Sequence, residues 1–205
     1  MSVGMVAAVD RRPYKQVARA QARERTQQAL IEAATAEFFE GDWMSVSLDS
    51  LAAKAGVTKQ TLLRNFGSKE GLLIQALVRL GGQARDQRWD APVGDIAGAV
   101  DNLLDHYAEW GKRSLRLGSW QGGPTTLLSL ISQAARRFHY DWIEYVFEPQ
   151  LAGLRGKARA HRRAALIALC DVQTWWIFSH DLELPRAEVR AILIDLIERL
   201  IAQQP

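Results

Sequence analysis

The 205-residue sequence predicts an all-α protein, a small N-terminal helix-turn-helix domain followed by a larger helical domain. Three observations carry this expectation. Apolar residues recur at three- and four-residue spacing along most of the chain, and no stretch alternates as a strand does. Ala, Leu and Arg are abundant while Pro is scarce, with 6 in the whole chain, so few positions forbid a helix. Residues 47–70 read as two short helices around a glycine turn, the second of them polar on its outer face.

Residues 1–13, up to Pro13, are expected to be unstructured, and 14–25 are rich in Lys, Arg, Gln and Ala. Lys15, Arg19, Arg23 and Arg25 make 1–25 a basic, partly disordered arm. It has helical propensity but no apolar stripe, and it reads equally as a solvated tail or as an arm laid on phosphates or in a minor groove. A first helix follows over 26–40, with Leu30, Ile31, Ala34, Phe38 and Phe39 inward and Gly41 as its stop.

Ser47 is suited to cap the next helix, whose Leu48, Leu51, Ala52 and Ala55 share a face. Gly56 supplies the left-handed turn, and Thr58 caps a helix over 59–66 that points Leu62 and Phe66 inward. Lys59, Gln60, Thr61, Arg64 and Asn65 are then left outward. All are donors or acceptors suited to phosphates and base edges. Ser68 caps a fourth helix with Glu70 in its first turn, and Lys69 stands at the helix's positive end, where a phosphate is the natural guest. The reciprocal capping residue would fall at Gly71 and is missing. Gly81-Gly82 is a weak point of that helix, and Pro92 lies beyond its end.

The run Ser47-Leu-(x)2-Leu-Ala-(x)3-Gly-Val-Thr-(x)2-Thr-Leu-Leu-Arg-Asn-Phe-Gly-Ser-Lys-Glu-(x)-Leu-Leu resembles the DNA-binding domain of the TetR (tetracycline repressor-like) family of bacterial regulators. Ala33-Ala34-(x)3-Phe38-Phe39-(x)-Gly41 is similar to the family's first helix. The resemblance covers about residues 26–77. The family usually has Tyr at position 63 and often His at 65, where this chain has Leu63 and Asn65. A phosphate contact common to that Tyr is therefore missing, and Leu63 can instead touch a thymine methyl. The resemblance implies three domains of function: the arm at 1–25, a DNA-binding domain at 26–70, and a ligand-binding and dimerisation domain at 71–205. It places the DNA contacts on Ser47, Thr58, Lys59, Gln60, Thr61, Arg64, Asn65 and Lys69.

Beyond Pro92 the pattern predicts helices over 93–110, 125–147, 158–179 and 186–202, with a broken segment at 114–123 and a looser link at 149–156. Helix 125–147 is expected to turn Leu127, Leu128, Ile131, Ala134, Ala135, Phe138, Trp142 and Tyr145 inward. Helices 158–179 and 186–202 are apolar around more than one face, and a second copy of the chain is the simplest partner for the surplus, giving a homodimer through about residues 158–202. Asp171-Val-(x)-Thr-Trp175 and the Asp-Leu-(x)-Leu-Pro185 that follows resemble the closing helix pair of many TetR-like regulators.

The aromatic set of the second half, Tyr107, Trp110, Trp120, Phe138, Trp142, Tyr145, Trp175 and Phe178, reads as a plain core or, by the resemblance, as the lining of an effector site. His106, His139, Gln173 and Thr174 are the candidate polar groups of such a site. The four His are scattered without metal-ligand spacing, and no Walker, GxSxG or GxGxxG pattern occurs, so neither enzyme activity, cofactor nor metal is expected. The first 25 residues hold six Lys or Arg against two Asp or Glu, whereas residues 91–205 hold 13 of each, so the positive excess lies where a polyanion would bind. The single Cys170 excludes an intrachain disulfide, and no leader-like or membrane-spanning run is seen, which points to the cytoplasm.

Together these features predict a ligand-responsive, homodimeric regulator bound to double-stranded operator DNA, a repressor released by a small hydrophobic or aromatic effector. A corepressor-dependent regulator or activator shares every residue named, and a helical ligand-binding or scaffold protein with weakened DNA binding is the alternative that Leu63 favours.

Overall fold

A computed structural model describes residues 12–119 and 125–202, and among these every regular element is helical. The elements are α1 (Arg12–Phe39), α2 (Leu48–Lys54), α3 (Lys59–Phe66), α4 (Lys69–Trp89), α5 (Ile96–Ser119), α6 (Thr125–Val146), α7 (Glu148–Leu151), α8 (Gly156–Leu169), α9 (Val172–Trp176) and α10 (Arg186–Ala202), with a π-helical turn at Ile177–Asp181 between the last two. The chain divides into two units, the first ending at Leu77 and the second beginning at Val78.

In the first unit, α1 is 28 residues long and absorbs most of the expected arm. Ala, Arg, Gln and Lys are good helix formers, and Pro13 falls in the first turn, where its missing N–H costs nothing. Residues 16–25 are exposed, as the lack of an apolar stripe requires, and burial begins with Leu30, Ile31, Ala34 and Phe38. Phe39 is only half-buried, its ring edge-on to Phe38 at 4.8 Å. Leu51, Ala52, Leu62, Phe66, Leu72, Leu73, Ala76 and Leu77 are buried from α2, α3 and α4, and Trp43 joins them edge-on to Phe38 at 6.3 Å.

Local chemistry sets each end. The Ser47 hydroxyl accepts from the Ser50 N–H at 3.1 Å, Thr58 from the Thr61 N–H at 3.2 Å, and Ser68 from the Gly71 N–H at 2.9 Å. Gly56 turns the chain between α2 and α3 at φ 67°, in the left-handed region. The missing capping residue at 71 has a steric reason: a Cβ there would lie 2.2 Å from the Phe66 carbonyl oxygen. Only Gly lets α4 start so close to the end of α3.

The second unit has its core on Val100, Leu103, Leu104 and Tyr107 of α5, Trp142, Ile143 and Val146 of α6, Leu166 of α8, Trp175 of α9, and Val189, Leu193 and Ile197 of α10. Helix α5 starts at Ile96 rather than 93, because Asp95 caps it through the Gly98 N–H at 3.1 Å. It then runs on to Ser119, through most of the segment expected to be broken. Helix α4 continues unbroken past Gly81-Gly82 to Trp89. The expected helix over 158–179 is three elements. Asp171 interrupts it by capping α9 through the Gln173 N–H at 2.8 Å, and the π turn closes with the Leu182 N–H donating to the Ile177 carbonyl at 2.9 Å.

Ion pairs tie the helices of this unit. Arg190 of α10 holds Asp101 of α5 bidentately at 2.7 and 2.9 Å, and Arg159 and Arg163 of α8 both reach Glu144 of α6. Hydrogen bonds from Arg190 and from Arg159, respectively, hold the Asp101 and Glu144 carboxyls below the ordinary range. Among the described residues no helix is long and apolar enough to cross a membrane.

Candidate functional site

The outer face of α3 is built by its inner one. Leu62 and Phe66, four apart, anchor the helix in the first unit's core, which turns Lys59, Gln60, Leu63 and Arg64 to solvent. Gln60, Thr61, Leu63 and Arg64 surround a shallow depression on that face. The side chains of Gln60 and Arg64 have no hydrogen-bond or ion-pair partner among the described residues. Leu63, 37% exposed, is the apolar member of an otherwise polar surface.

The other expected DNA contacts are already engaged within the unit. Lys59 pairs with Asp49 of α2 at 3.1 Å, with both side chains well exposed, so the pair can open at little cost. The hydroxyls of Ser47 and Thr58 are occupied as caps, and Thr58 and Thr61 share a hydroxyl contact at 3.0 Å. Asn65 was expected outward and is not. Its amide donates to the Thr61 carbonyl at 2.7 Å and its oxygen accepts from Gln27 of α1 at 3.3 Å, so it braces α3 against α1. Lys69 donates to the Val46 and Met44 carbonyls at 2.7 and 3.3 Å and lies 4.9 Å from the Trp43 ring centre. Sequence reasoning missed Trp43. The signal was an aromatic residue in the connection between α1 and α2, five residues after its core partner Phe38.

In the second unit the expected aromatic set divides. His106, Tyr107, Trp110, His139, Trp142 and Trp175 are buried, while Phe138 and Phe178 are half-buried. Tyr145 is 48% exposed, with its ring against Trp89 at 5.1 Å, and Ala134 and Ala135 are exposed as well, so the inward face of α6 is narrower than its apolar content suggested. Gln173 is exposed, and Thr174 turns its hydroxyl back to the Ala168 carbonyl at 2.6 Å. Trp120, Leu127 and Leu128 lie outside the residues whose side chains are described.

The buried groups form a hydrogen-bonded centre. Tyr107 donates to the Cys170 carbonyl at 2.8 Å, and Trp142 donates to the Arg88 carbonyl at 2.9 Å, satisfying an orphan acceptor at the end of α4. His139 Nε2 donates to the Ile167 carbonyl at 2.9 Å, which leaves Nδ1 as an acceptor, 2.9 Å from an Arg88 guanidinium nitrogen. His106 Nδ1 donates to the Gln87 side-chain oxygen at 2.8 Å. Burial, reinforced by the Arg88 charge, pushes His106 down to about 3 and His139 down to about 4, so both rings are neutral. Burial pushes Tyr107 and Cys170 each up to about 12, which makes Cys170 an inert core thiol. Arg88 was not anticipated. It continues the stripe of Leu73, Leu77 and Ala84 along α4, and a cation at the next inward position was the available signal.

Comparison with known proteins bears on both units. Residues 30–76 match the family model of bacterial regulatory proteins, tetR family. The HTH-type transcriptional regulator AlkX of Mycobacterium tuberculosis is 32% identical over 94 residues, 44% of this chain and 43% of AlkX, so the similarity spans less than half of that relative. Among solved structures, a tetR-family transcriptional regulator from Streptomyces coelicolor superposes with a TM-score of 0.60 at 20% identity, over 87% of this chain and 92% of its own. The fatty acid degradation regulator FadR from Bacillus halodurans does so with a TM-score of 0.54 at 17% identity, over 87% and 99%. These structural likenesses extend the shared fold into the second unit.

Proposed function

We infer the function from one premise: this chain belongs to the tetR family of bacterial regulatory proteins, whose DNA-binding domain it carries over residues 30–76. It is a ligand-responsive transcriptional regulator that acts on operator DNA in the cytoplasm, as a homodimeric repressor without catalytic activity. The observation that carries this reading is the outer face of α3, where Gln60 and Arg64 stand in solvent with no partner among the described residues. A core anchored at Leu62 and Phe66 keeps them there.

Gln60 and Arg64 read base edges, joined by Lys59 once it leaves Asp49, and Leu63 meets a thymine methyl. Ser47 and Thr58 can present backbone and hydroxyl groups to phosphates, and Lys69 adds positive charge near α4's start. Residues 16–25 reach phosphates rather than the floor of a minor groove. A helix is about 10–12 Å wide, and a minor groove is about 6 Å wide, so this part of α1 is too thick to enter one.

A second copy of the chain covers the apolar residues of the last helices that the core leaves uncovered. Ile192 and Leu196 of α10 are a turn apart, Leu196 is 37% exposed, and Ile177 and Leu182 are 47% and 56% exposed. The dimer reads a near-palindrome with half-sites about 34–36 Å apart. An effector held in the second unit changes DNA affinity because it binds one of two arrangements better than the other. Helix α4 contributes residues to both units, which makes it the covalent route for that coupling.

Selection of bound sequences from a random duplex pool, followed by mobility shift over a salt series, tests the reading. A palindromic consensus bound in a salt-dependent way is expected. Gln60→Ala should change the consensus, while Lys69→Ala should weaken all sites alike. Binding that selects no sequence would refute the regulator function.

A further inference from the structure

Arg88 is 3% exposed, and a guanidinium stays protonated at any ordinary pH, so a full positive charge sits in the second unit's interior. Among the described residues no carboxylate forms an ion pair with it. The groups around it are neutral: the Trp142 ring centre at 4.3 Å, the Tyr107 ring at 5.3 Å, the Phe138 ring at 6.0 Å, and the His139 lone pair at 2.9 Å. Its Nε is buried and has no hydrogen-bond acceptor. Asp171 raises Tyr107, Cys170 and His139, but it forms no ion pair with Arg88, and one of its two oxygens is held by the α9 cap. Residues 118–129, whose side chains are not described, contain no Asp or Glu.

A buried charge without a counter-charge is costly, and proteins usually pair it. The two histidines that touch this network make the field more one-sided, because each is neutral and neither can accept a second proton without repulsion from Arg88. We propose that Arg88 is the anchor of the effector site, and that the effector is a small organic monocarboxylate with an apolar body. This rests on the regulator reading for its purpose but not for its chemistry.

The fork of a guanidinium matches a carboxylate, and the unpartnered Nε is one tine of that fork. The flanking rings fit an apolar body, edge or face. A phosphate dianion would bring two charges to one cation among neutral groups, so it remains undercompensated. Phe138 is the half-buried ring of the three around Arg88, and the acid enters beside it.

The test uses the full chain without DNA and two matched pairs of probes: sodium phenylacetate with phenylacetamide, and sodium hexanoate with hexanamide. Binding is read by thermal midpoint and by tryptophan fluorescence, to which Trp142 against the guanidinium should contribute. At least one acid should raise the midpoint and bind at least about tenfold more tightly than its amide, since the amide cannot answer the charge. Arg88→Met should keep or raise the midpoint of the free protein and abolish the preference for acid over amide. Arg88→Lys, which retains charge but loses the fork, should keep a reduced preference, and it decides the matter if the Met variant does not fold. Acids and amides that act alike on the unmodified protein overturn the proposal, as does a preference that survives Arg88→Met. A chain that prefers acids through Arg88 yet selects no DNA sequence would refute the regulator function and leave this site standing.

Discussion

The corner of α2 and α3 and the centre around Arg88 are held by opposite means. At the corner each cap joins residues three apart: Ser47 to Ser50, Thr58 to Thr61, Ser68 to Gly71. At the centre, Arg88 meets His139 51 residues away, Trp142 meets Arg88 across 54, and Tyr107 meets Cys170 across 63. The first arrangement has its helix ends set by adjacent residues, with Gln27 to Asn65 bracing it against α1. The second exists only when several helices have docked, so it can respond to a bound molecule. A reader needs the former property and a sensor the latter.

The largest test of this contrast is acid. All four histidines lie beyond residue 77, in the second unit. His106 and His139 have folded values of about 3 and about 4 against an ordinary 6.5, so the unfolded chain binds more protons between those limits. The stability they contribute is complete above about pH 6.5 and falls as the pH drops towards their folded values, a loss on the order of several kcal/mol by about pH 4. Hydrogen exchange against pH should show protection lost first in the second unit, and His139→Gln should flatten the dependence. Equal loss in the first unit would erase the distinction.

Trp142→Ala comes next, removing a fully buried ring and the donor to the Arg88 carbonyl; it should cost about 3–5 kcal/mol in denaturant unfolding of the second unit. At the corner, Ser47→Ala and Thr58→Ala should each cost about 1 kcal/mol. Their effects should add, because each cap is local, and strong coupling between them would show that the corner is less modular than its bonds suggest. Smallest is Asp49→Asn, which releases Lys59: stability should change by less than about 1 kcal/mol, while non-specific DNA affinity in a mobility shift should rise slightly.

The same contrast explains what could be read from the sequence. The span of α3, its N-cap Thr58, the left-handed Gly56 and the span of α10 follow from neighbours along the chain, and all were legible. Asn65 was misplaced because its partner, Gln27, is on α1. Helix α1 ran further back than expected because intrinsic propensity, without an apolar stripe, is enough to extend a helix that packing has already nucleated. The break at Asp171 was hidden inside an apolar run, although an Asp before Val-Gln was a local cap signal that could have been weighed. Arg88 was marked only by its place on the α4 stripe, because the groups that surround it come from α5 and α6.

Gly71 carries a consequence for variation. With the Phe66 carbonyl 2.2 Å from where a Cβ would sit, every side chain at 71 forces the junction of α3 and α4 to open. Full randomisation of that codon, followed by selection for DNA binding, should return glycine almost alone. Randomising codons 60 and 64, which face solvent, should instead return many residues, each with its own preferred operator. New DNA specificities can therefore evolve by single steps on the face of α3 while the angle at which that face is presented stays fixed.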